Sequence, residues 1–533
     1  MALAEARFPL GRTTRPERRR RPGWQWPGVV AASLVLMTLP PILLAAMRTP
    51  VGSVFSGYVV IARDAYVYQA IWRQGWHGDW LFHSPYTSEA VPGILLYPWY
   101  LWPAHLIGWA SGPWLYHLAR AGAAAALLIA VWLLISELFR SALMRRWAFI
   151  LAALGGGVGI FLPAGISVGP IATHATEMTS PGSSVADLIA MAPHLPWALA
   201  LMCWVMVVGL RLRRHVRPSE LISALAAVIG LQLIYPQLAL LAIAVVAGWA
   251  LLRRRGRGLW FAAGAGVVQV PYLLYLVRVW QDSPAALAVI RPSLDVGDPF
   301  GFLVVSHLVA SGLIAIAIWR RRLRGDLVLP ALWIVGMTLF MFLPGVSGVL
   351  GRSFMASSVP FGLCAAPGLL SLLRLVRTRP WRRRIAVATL AASSLYGLFS
   401  LAQPFWIAAL RLDSRAEYET IGESILLDRL APRVSAGDVV LTTYLDGIFV
   451  PAQTNARAFI GHPEMTIDAP RKSAAVNAFF NRWNAASRLA FLHANGIDYV
   501  LVTDAQSITR LKAVPGIHIV DYEQGAALFA VDP

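Results

Sequence analysis

The chain has 533 residues, 57% of them hydrophobic and only 14% charged, with a mean hydropathy of +0.60. Too little polar surface is available to coat a water-soluble body of that size, so the bilayer must serve as solvent for much of it. A net charge of +19 would suit nucleic acid if the basic residues formed one polar domain, but they fall in short clusters between apolar runs, which is a signature of membrane topology and not of a nucleic-acid partner.

Residues 1–26 form a basic N-terminus carrying Arg18 to Arg21, followed by an apolar run near 28–47. That run is longer than the apolar part of a signal peptide, and Pro40 and Pro41 fall where a kink near the outer leaflet is tolerated, so it reads as an uncleaved first helix. Five more basic clusters follow: Arg140, Arg145 and Arg146; Arg211, Arg213, Arg214 and Arg217; Arg253, Arg254, Arg255 and Arg257; Arg320, Arg321, Arg322 and Arg324; and Arg377, Arg379 and Arg382 to Arg384. All six adjoin apolar segments, and the positive-inside rule assigns them to the cytoplasm. The intervening loops differ. Residues 48–92 are nearly balanced in charge, 169–195 carry Glu177 and Asp187 with no Lys or Arg, and 281–299 carry Asp282, Asp295 and Asp298 against Arg291. These face out.

Successive cytoplasmic clusters must be an even number of crossings apart. Runs near 28–47, 115–138, 147–167, 196–211, 219–234, 237–252, 259–279, 301–319, 327–344, 354–376 and 385–408 satisfy this and predict about eleven transmembrane helices. The run 93–110 is left out; its Pro98, Pro103 and His105 among Tyr97, Trp99, Tyr100 and Trp102 suit a helix lying at the interface. The two runs flanking Tyr235-Pro236-Gln237 are the shortest and barely cross a core of roughly 30 Å. The two cysteines, Cys203 and Cys364, sit inside apolar runs and can build neither a disulfide framework nor a thiolate metal site.

After residue 408 the apolar runs shorten to strand length at 438–443, 499–503, 517–520 and 526–531, with helices expected over 470–482 and 485–495, the second stopped at Asn495-Gly496. The reading is therefore an α-helical polytopic membrane protein with a C-terminal extracytoplasmic α/β domain. Residues 27–408 form the transmembrane part with an outward loop at 48–114, and 409–533 form the outer domain.

Chemistry is expected in the outward loop. It holds Asp64, Asp79 and Glu89 together with Tyr66, Tyr68, Trp72, Trp76, Trp80 and Tyr86. A helix over 62–74 would set Asp64, Tyr68 and Trp72 four apart on one face, holding a carboxylate beside aromatic rings at the membrane boundary. The alternative is an interfacial helix with aromatic anchors and solvated charges. In the second outward loop, His174, Glu177 and His194 match no zinc spacing. His194, at a helix start, reads either as a substrate-site residue or as a hydrogen-bonded interfacial one.

A basic N-terminus, one span, a long outward loop with an Asp just after the first helix, an interfacial helix, many spans and an outward C-terminal domain together resemble the GT-C-fold polytopic glycosyltransferases. The residues carrying the likeness are Arg63-Asp64-Ala65-Tyr66-Val67-Tyr68, Tyr86-Thr87-Ser88-Glu89, Leu96-Tyr97-Pro98, Gly461-His462, Phe479-Phe480 and Gly496-Ile497-Asp498-Tyr499-Val500. The resemblance implies transfer of a sugar from a polyprenyl-phosphate-linked donor to a lipid, glycan or protein acceptor at the outer face of the cell membrane. It makes Asp64 the general base and Glu89 a second catalytic carboxylate. Arg352 and Arg120 become the cations for the donor phosphate, and Tyr66, Tyr68 and His194 line the substrate site. The sequence lacks an Asp-Glu pair or Asp-x-Asp at Asp64; Mg²⁺ or Mn²⁺ would need oxygen ligands from Asp64 with Glu89 or Glu177. Two other classes share the outline. A transporter or lipid flippase would show internal repeats and broken, charged helices at mid-bilayer, and a membrane scaffold or receptor would leave Asp64 dispensable.

Overall fold

The computed structural model describes residues 23–108, 112–157, 166–168, 171–173, 182–214, 216–283, 285, 306–341, 351–411 and 414–532. Arg18 to Arg21, His174, Glu177 and the Arg352 side chain lie outside the described residues.

Every apolar run read from the sequence contains a helix. The first is divided into α1 (Gln25–Leu36) and α2 (Pro40–Met47). After α3 (Ala62–Trp76) and α4 (Pro98–Ile107) come α5 (Gly112–Leu138), α6 (Ala142–Ala153), the short α7 (Val185–Ala190), α8 (His194–Arg211), α9 (Pro218–Ile234), α10 (Pro236–Leu252) and α11 (Gly256–Asp282). The series ends with α12 (Leu308–Trp319), α13 (Val328–Met341), α14 (Ser358–Leu375) and α15 (Arg379–Leu410). Among the described residues six helical segments are long and apolar enough to cross a membrane: Gln25–Met47, α5, α8, α11, α14 and α15. Helices α9 and α10, of 17 residues each, reach about 25 Å at ~1.5 Å per residue and fall short of a perpendicular crossing.

Burial separates inner helices from outer ones. In α8 and α14, 78% of the apolar window is buried, against 28% in α11 and 22% in Gln25–Met47. The outer face of α11 exposes Trp260, Val267 and Leu274, a surface stable against lipid and not against water. Arg211 pairs with Glu137 at 2.8 Å and with Glu220 at 2.5 Å, and Arg213 pairs with Asp326. These bridges gather three of the basic clusters at one end of the helical bundle.

The C-terminal residues form a five-stranded sheet in the order β6-β5-β7-β9-β8. Strands β5 (Val439–Leu441), β6 (Arg457–Ala458) and β7 (Tyr499–Val502) are parallel, and β9 (Ala526–Val531) joins antiparallel to β7 and to β8 (Ile517–Glu523). The crossover from β5 to β7 contains helices Ala469–Asn481 and Ala485–Ala494. The Asn484 side chain caps the second by accepting from the Ser487 amide. The β8–β9 turn uses Gln524 (φ 41°) and Gly525 (φ 85°), both left-handed as a two-residue hairpin of this twist requires.

This sheet and the loop after α2 share one core. Strand β1 (Ser53–Phe55) pairs antiparallel with β4 (Tyr418–Thr420), and the Ala458 amide at the sheet edge donates to the Pro85 carbonyl at 2.8 Å. Tyr66, Ile71, Phe82 and Tyr86 pack in one apolar cluster with Leu427, Val440, Phe449 and Leu528. The Tyr66 ring meets Phe449 edge-on at 4.8 Å. Helix α3 also presses on α4, and a Cβ at Gly75 would stand 2.1 Å from the Leu101 carbonyl oxygen. Gly75→Ala is therefore expected to lower thermal stability by about 1–3 kcal/mol, the usual cost of overpacking, measured by thermal unfolding of the detergent-purified protein.

Behind α3 lie four buried carboxylates, Glu417, Glu419, Glu423 and Asp446. Arg415 binds Glu423 at 2.6 Å and also pairs with Asp446, while Gln453 donates to Glu419 at 2.5 Å. Burial raises the Glu419 carboxyl from 4.5 to about 8, and burial with the nearby Asp446 charge holds Glu423 well above the usual range. The folded state thus binds the Glu419 proton more tightly than the unfolded chain. Its contribution to stability is complete below pH 4.5 and is lost as pH rises through about 8. Unfolding temperature should fall over that interval, and Glu419→Gln should flatten the fall.

Candidate functional site

Asp64 lies in the first turn of α3, where unpaired amides and the helix dipole favour an anion. Helices α3 and α4 both follow a left-handed residue, Ile61 (φ 48°) and Tyr97 (φ 55°). For non-glycine residues such backbone costs about 1–3 kcal/mol and persists only where the surroundings over-determine it. Here Tyr97 packs on the core shared with the sheet and Ile61 on the core of the helical bundle.

A cleft of about 150 Å³ opens beside Asp64, walled by α3, α4, the start of α8, the α9–α10 junction, α11 and the 462–465 loop. At that junction Tyr235 precedes Pro236, is forced out of the helical region (ψ 92°), and lines the cleft. The Tyr68 ring stacks on Tyr100 at 4.7 Å with 9° between planes and meets His194 edge-on at 5.0 Å. His194 stands between two phenols, with Nδ1 2.8 Å from the Tyr100 hydroxyl and Nε2 3.0 Å from the Tyr235 hydroxyl. A neutral imidazole bridges them by accepting at one nitrogen and donating from the other. Burial with the nearby Asp64 charge raises the Tyr68 phenol well above its ordinary value, so it remains a neutral hydroxyl across the physiological range.

Tyr68, Trp99, Tyr100 and His194 also wall a second, mainly apolar cavity of about 430 Å³ that runs along α5 past Leu115, Tyr116, Ala119 and Ala123. Along α3, Asp64 and Tyr68 face the first cavity and Tyr68 and Trp72 the second. The indole N–H groups of Trp99 and Trp280, both cleft-lining, have no hydrogen-bond partner among the described residues.

Asp64, Tyr68 and His194 are thus brought together, and the other expected site residues are elsewhere. Tyr66 points away, packed between Tyr58 and Phe449. Arg120 is 2% exposed and donates from Nη1 to Thr38 Oγ1 and the Ile189 carbonyl, each at 2.8 Å. It ties α5 to the α1–α2 break and to α7 and lines neither cavity. Arg352 falls in the turn Gly351–Phe354. His462 stands out in the sequence only within the Gly461-His462 pair of the resemblance, with no catalytic role attached; its Nε2 lies 3.2 Å from Asp64 Oδ1. Tyr100, Tyr235 and Trp280 carried no signal as single aromatics among 21 Trp and 15 Tyr.

Glu89 does not line the Asp64 cleft. It accepts from Lys472 Nζ at 2.6 Å and from the Thr87 hydroxyl, clamping the loop to helix Ala469–Asn481. Burial pushes the Glu89 carboxyl up, but the donated hydrogen bonds outweigh it and hold the group below its usual range. Burial holds the Lys472 ammonium below its ordinary value despite Glu89. Among the described residues no group of three or more His, Cys, Asp or Glu is placed to hold a metal ion. With Glu89 committed to Lys472, Asp64 and Glu89 do not form a ligand pair for Mg²⁺ or Mn²⁺, and no step is assigned to either. The Lys472 side chain is 5% exposed and that of Glu89 40%. Removing the acid strands a buried cation, whereas removing the lysine leaves a carboxylate that water can reach. Glu89→Gln is therefore expected to lower the unfolding temperature more than Lys472→Met.

No family model and no curated protein matches the chain. Solved structures do. The chain aligns over 90% of its length, and 69% of the other's, with the archaeal oligosaccharyltransferase AglB from Archaeoglobus fulgidus in complex with an inhibitory peptide and a dolichol-phosphate, at 13% identity and a TM-score of 0.53. The apo form of the Archaeoglobus fulgidus oligosaccharyltransferase gives 12% identity and 0.52, with 90% of this chain and 70% of that one covered. The arabinofuranosyltransferase AftD from Mycobacteria gives 14% and 0.50, covering 96% of this chain and 42% of that one. At these identities the likeness is one of fold, and the chain has the GT-C fold shared by these membrane glycosyltransferases.

Proposed function

We propose that this protein is a membrane glycosyltransferase that moves a sugar from a polyprenyl-phosphate-linked donor to an acceptor hydroxyl on the outer face of the membrane. The observation that carries the reading is the carboxylate of Asp64 at a small aromatic cleft that shares a wall with a larger apolar cavity. A donor of this class has the same two parts, a sugar phosphate and a long hydrocarbon. The dolichol-phosphate in the AglB complex, a lipid of that chemistry, gives further support.

In this reading Asp64 takes the proton of the acceptor hydroxyl as its oxygen attacks the anomeric carbon. The bond from that carbon to the phosphate oxygen breaks, and the electron pair leaves with the polyprenyl phosphate. One displacement inverts the anomeric centre. Tyr68 and Tyr100 present ring faces to the sugar, the unpartnered indoles of Trp99 and Trp280 offer hydrogen bonds, and His194 holds the Tyr100 and Tyr235 hydroxyls in place. Arg352 remains the candidate cation for the phosphate. Arg120 is given an internal role by its bonds to Thr38 and Ile189, Glu89 a structural one by its pairing with Lys472, and Tyr66 one by its packing on Phe449.

The topology proposed with it has about eleven membrane helices, α9 and α10 among them short of a perpendicular crossing, with a cytoplasmic N-terminus and an extracytoplasmic C-terminal region in the cell membrane. Its support is the gathering of Arg211 and Arg213 with Glu137, Glu220 and Asp326 at one end, as clusters on a common side require.

Sugar transfer from a panel of polyprenyl-phosphate sugars to membrane extracts tests the reading. Asp64→Asn should reduce turnover by about 10²–10⁴-fold, the scale of a lost general base, with unchanged thermal unfolding. A folded wild type that transfers nothing from any donor would overturn it.

A further inference from the structure

We infer that His462, delivered by the C-terminal region, is the positioning residue for Asp64; the inference rests on the proposed function and deepens it. Three observations carry it. First, the imidazole is buried, 6% exposed, and its Nε2 lies 3.2 Å from Asp64 Oδ1. Second, the Glu464 backbone amide donates to Nδ1 at 3.3 Å. An amide can only donate, so Nδ1 is the unprotonated nitrogen and the ring proton sits on Nε2, aimed at the carboxylate. The neutral imidazole is thereby a fixed donor to one oxygen of Asp64.

Third, the loop that carries it is fastened to the same segment as the cleft. Thr466 Oγ1 donates to the Tyr86 carbonyl at 2.6 Å, and the His462 amide donates to Thr466 Oγ1 at 3.4 Å. Ser84 Oγ donates to the Met465 carbonyl at 2.9 Å, and a Cβ at Gly461 would meet the Gly447 carbonyl oxygen at 2.6 Å. So close an approach admits only glycine immediately before the histidine. The carboxylate itself is otherwise loosely held, with 44% of the side chain exposed, at the head of α3 with no second acceptor-orienting bond among those described.

A half-exposed carboxylate samples several rotamers, and each wrong one turns the proton-accepting oxygen away from the acceptor hydroxyl. By engaging Oδ1, His462 leaves Oδ2 to take the proton. Orientation is what the bond supplies, because misplacement by about 1 Å costs on the order of 10²-fold in rate. His462 touches no reacting atom and works through Asp64.

The test uses the full chain in detergent with the donor that supports wild-type transfer. His462→Phe removes the donor and His462→Asn places its amide near the Nδ1 position, short of Asp64, whereas His462→Gln carries an N–H about as far as Nε2. Phe and Asn variants should lose about 100-fold in kcat with donor KM within about threefold, and Gln should recover to within about tenfold of wild type. Adding His462→Phe to Asp64→Asn should cost nothing further, since the two act as one unit. If the Phe variant does not fold, the Gln–Asn contrast decides. A folded Asn variant with wild-type kcat, or a Gln variant as slow as Asn, overturns the inference while the glycosyltransferase reading stands. A wild type without transfer activity overturns both.

Discussion

Everything at the site depends on one apolar contact surface, that between the loop following α2 and the C-terminal sheet. Tyr66, Ile71, Phe82 and Tyr86 contribute one side of this buried cluster, and Leu427, Phe449 and Leu528 supply the other. Once Tyr66 is fixed against Phe449, the rotation of α3 is fixed, and Asp64, Tyr68 and Trp72 necessarily face the opposite way, into the cavities. The β1–β4 ladder and the Lys472–Glu89 clamp restrain the same surface at its two margins. Of the left-handed residues that precede α3 and α4, Tyr97 packs on this surface and Ile61 on the helical bundle beside it.

On the cavity side, polarity is graded over a short distance. The half-exposed Asp64 carboxylate gives way to the Tyr100–His194–Tyr235 hydrogen-bonded wall and then to the apolar slot along α5. The Tyr100 and Tyr235 phenols and the His194 imidazole satisfy one another, so this part of the wall can stand between an aqueous mouth and a hydrocarbon-like space, with the Trp99 indole N–H the open donor beside it. Its members come from α4, α8 and the Tyr235–Pro236 break, three places distant in the chain.

Much of this was legible in the sequence where periodicity or composition carried it. Apolar runs gave the helices, strand-length runs gave β5, β7, β8 and β9, and the four-residue spacing of Asp64, Tyr68 and Trp72 gave a shared face. The reading was weaker for isolated charges. Glu89 and Arg120 are as acidic and as basic as catalytic or phosphate-binding groups would be; only the positions of Lys472, Thr38 and Ile189 distinguish a clamp from a site, and those positions are tertiary. Tyr66 and Tyr68 lie two residues apart and point to opposite sides of α3, one into the core and one into the cleft. His462 meets Asp64 across most of the length of the chain, a juxtaposition that no local pattern encodes.

The shared core also sets an order on biogenesis. Residues 53–101 are synthesised early, yet the strands and helices that cover Tyr66, Phe82 and Tyr86 emerge only after α15. Until then the segment has aromatic surface without a lid, and neither β1 nor the edge contact at Pro85 has its partner. Contacts of such long sequence separation form late and slowly, and uncovered apolar surface in the interval invites aggregation or chaperone capture. A ribosome halted in α15 would therefore leave a chain whose bundle is nearly complete and whose α3 segment still lacks the cover that fixes its rotation.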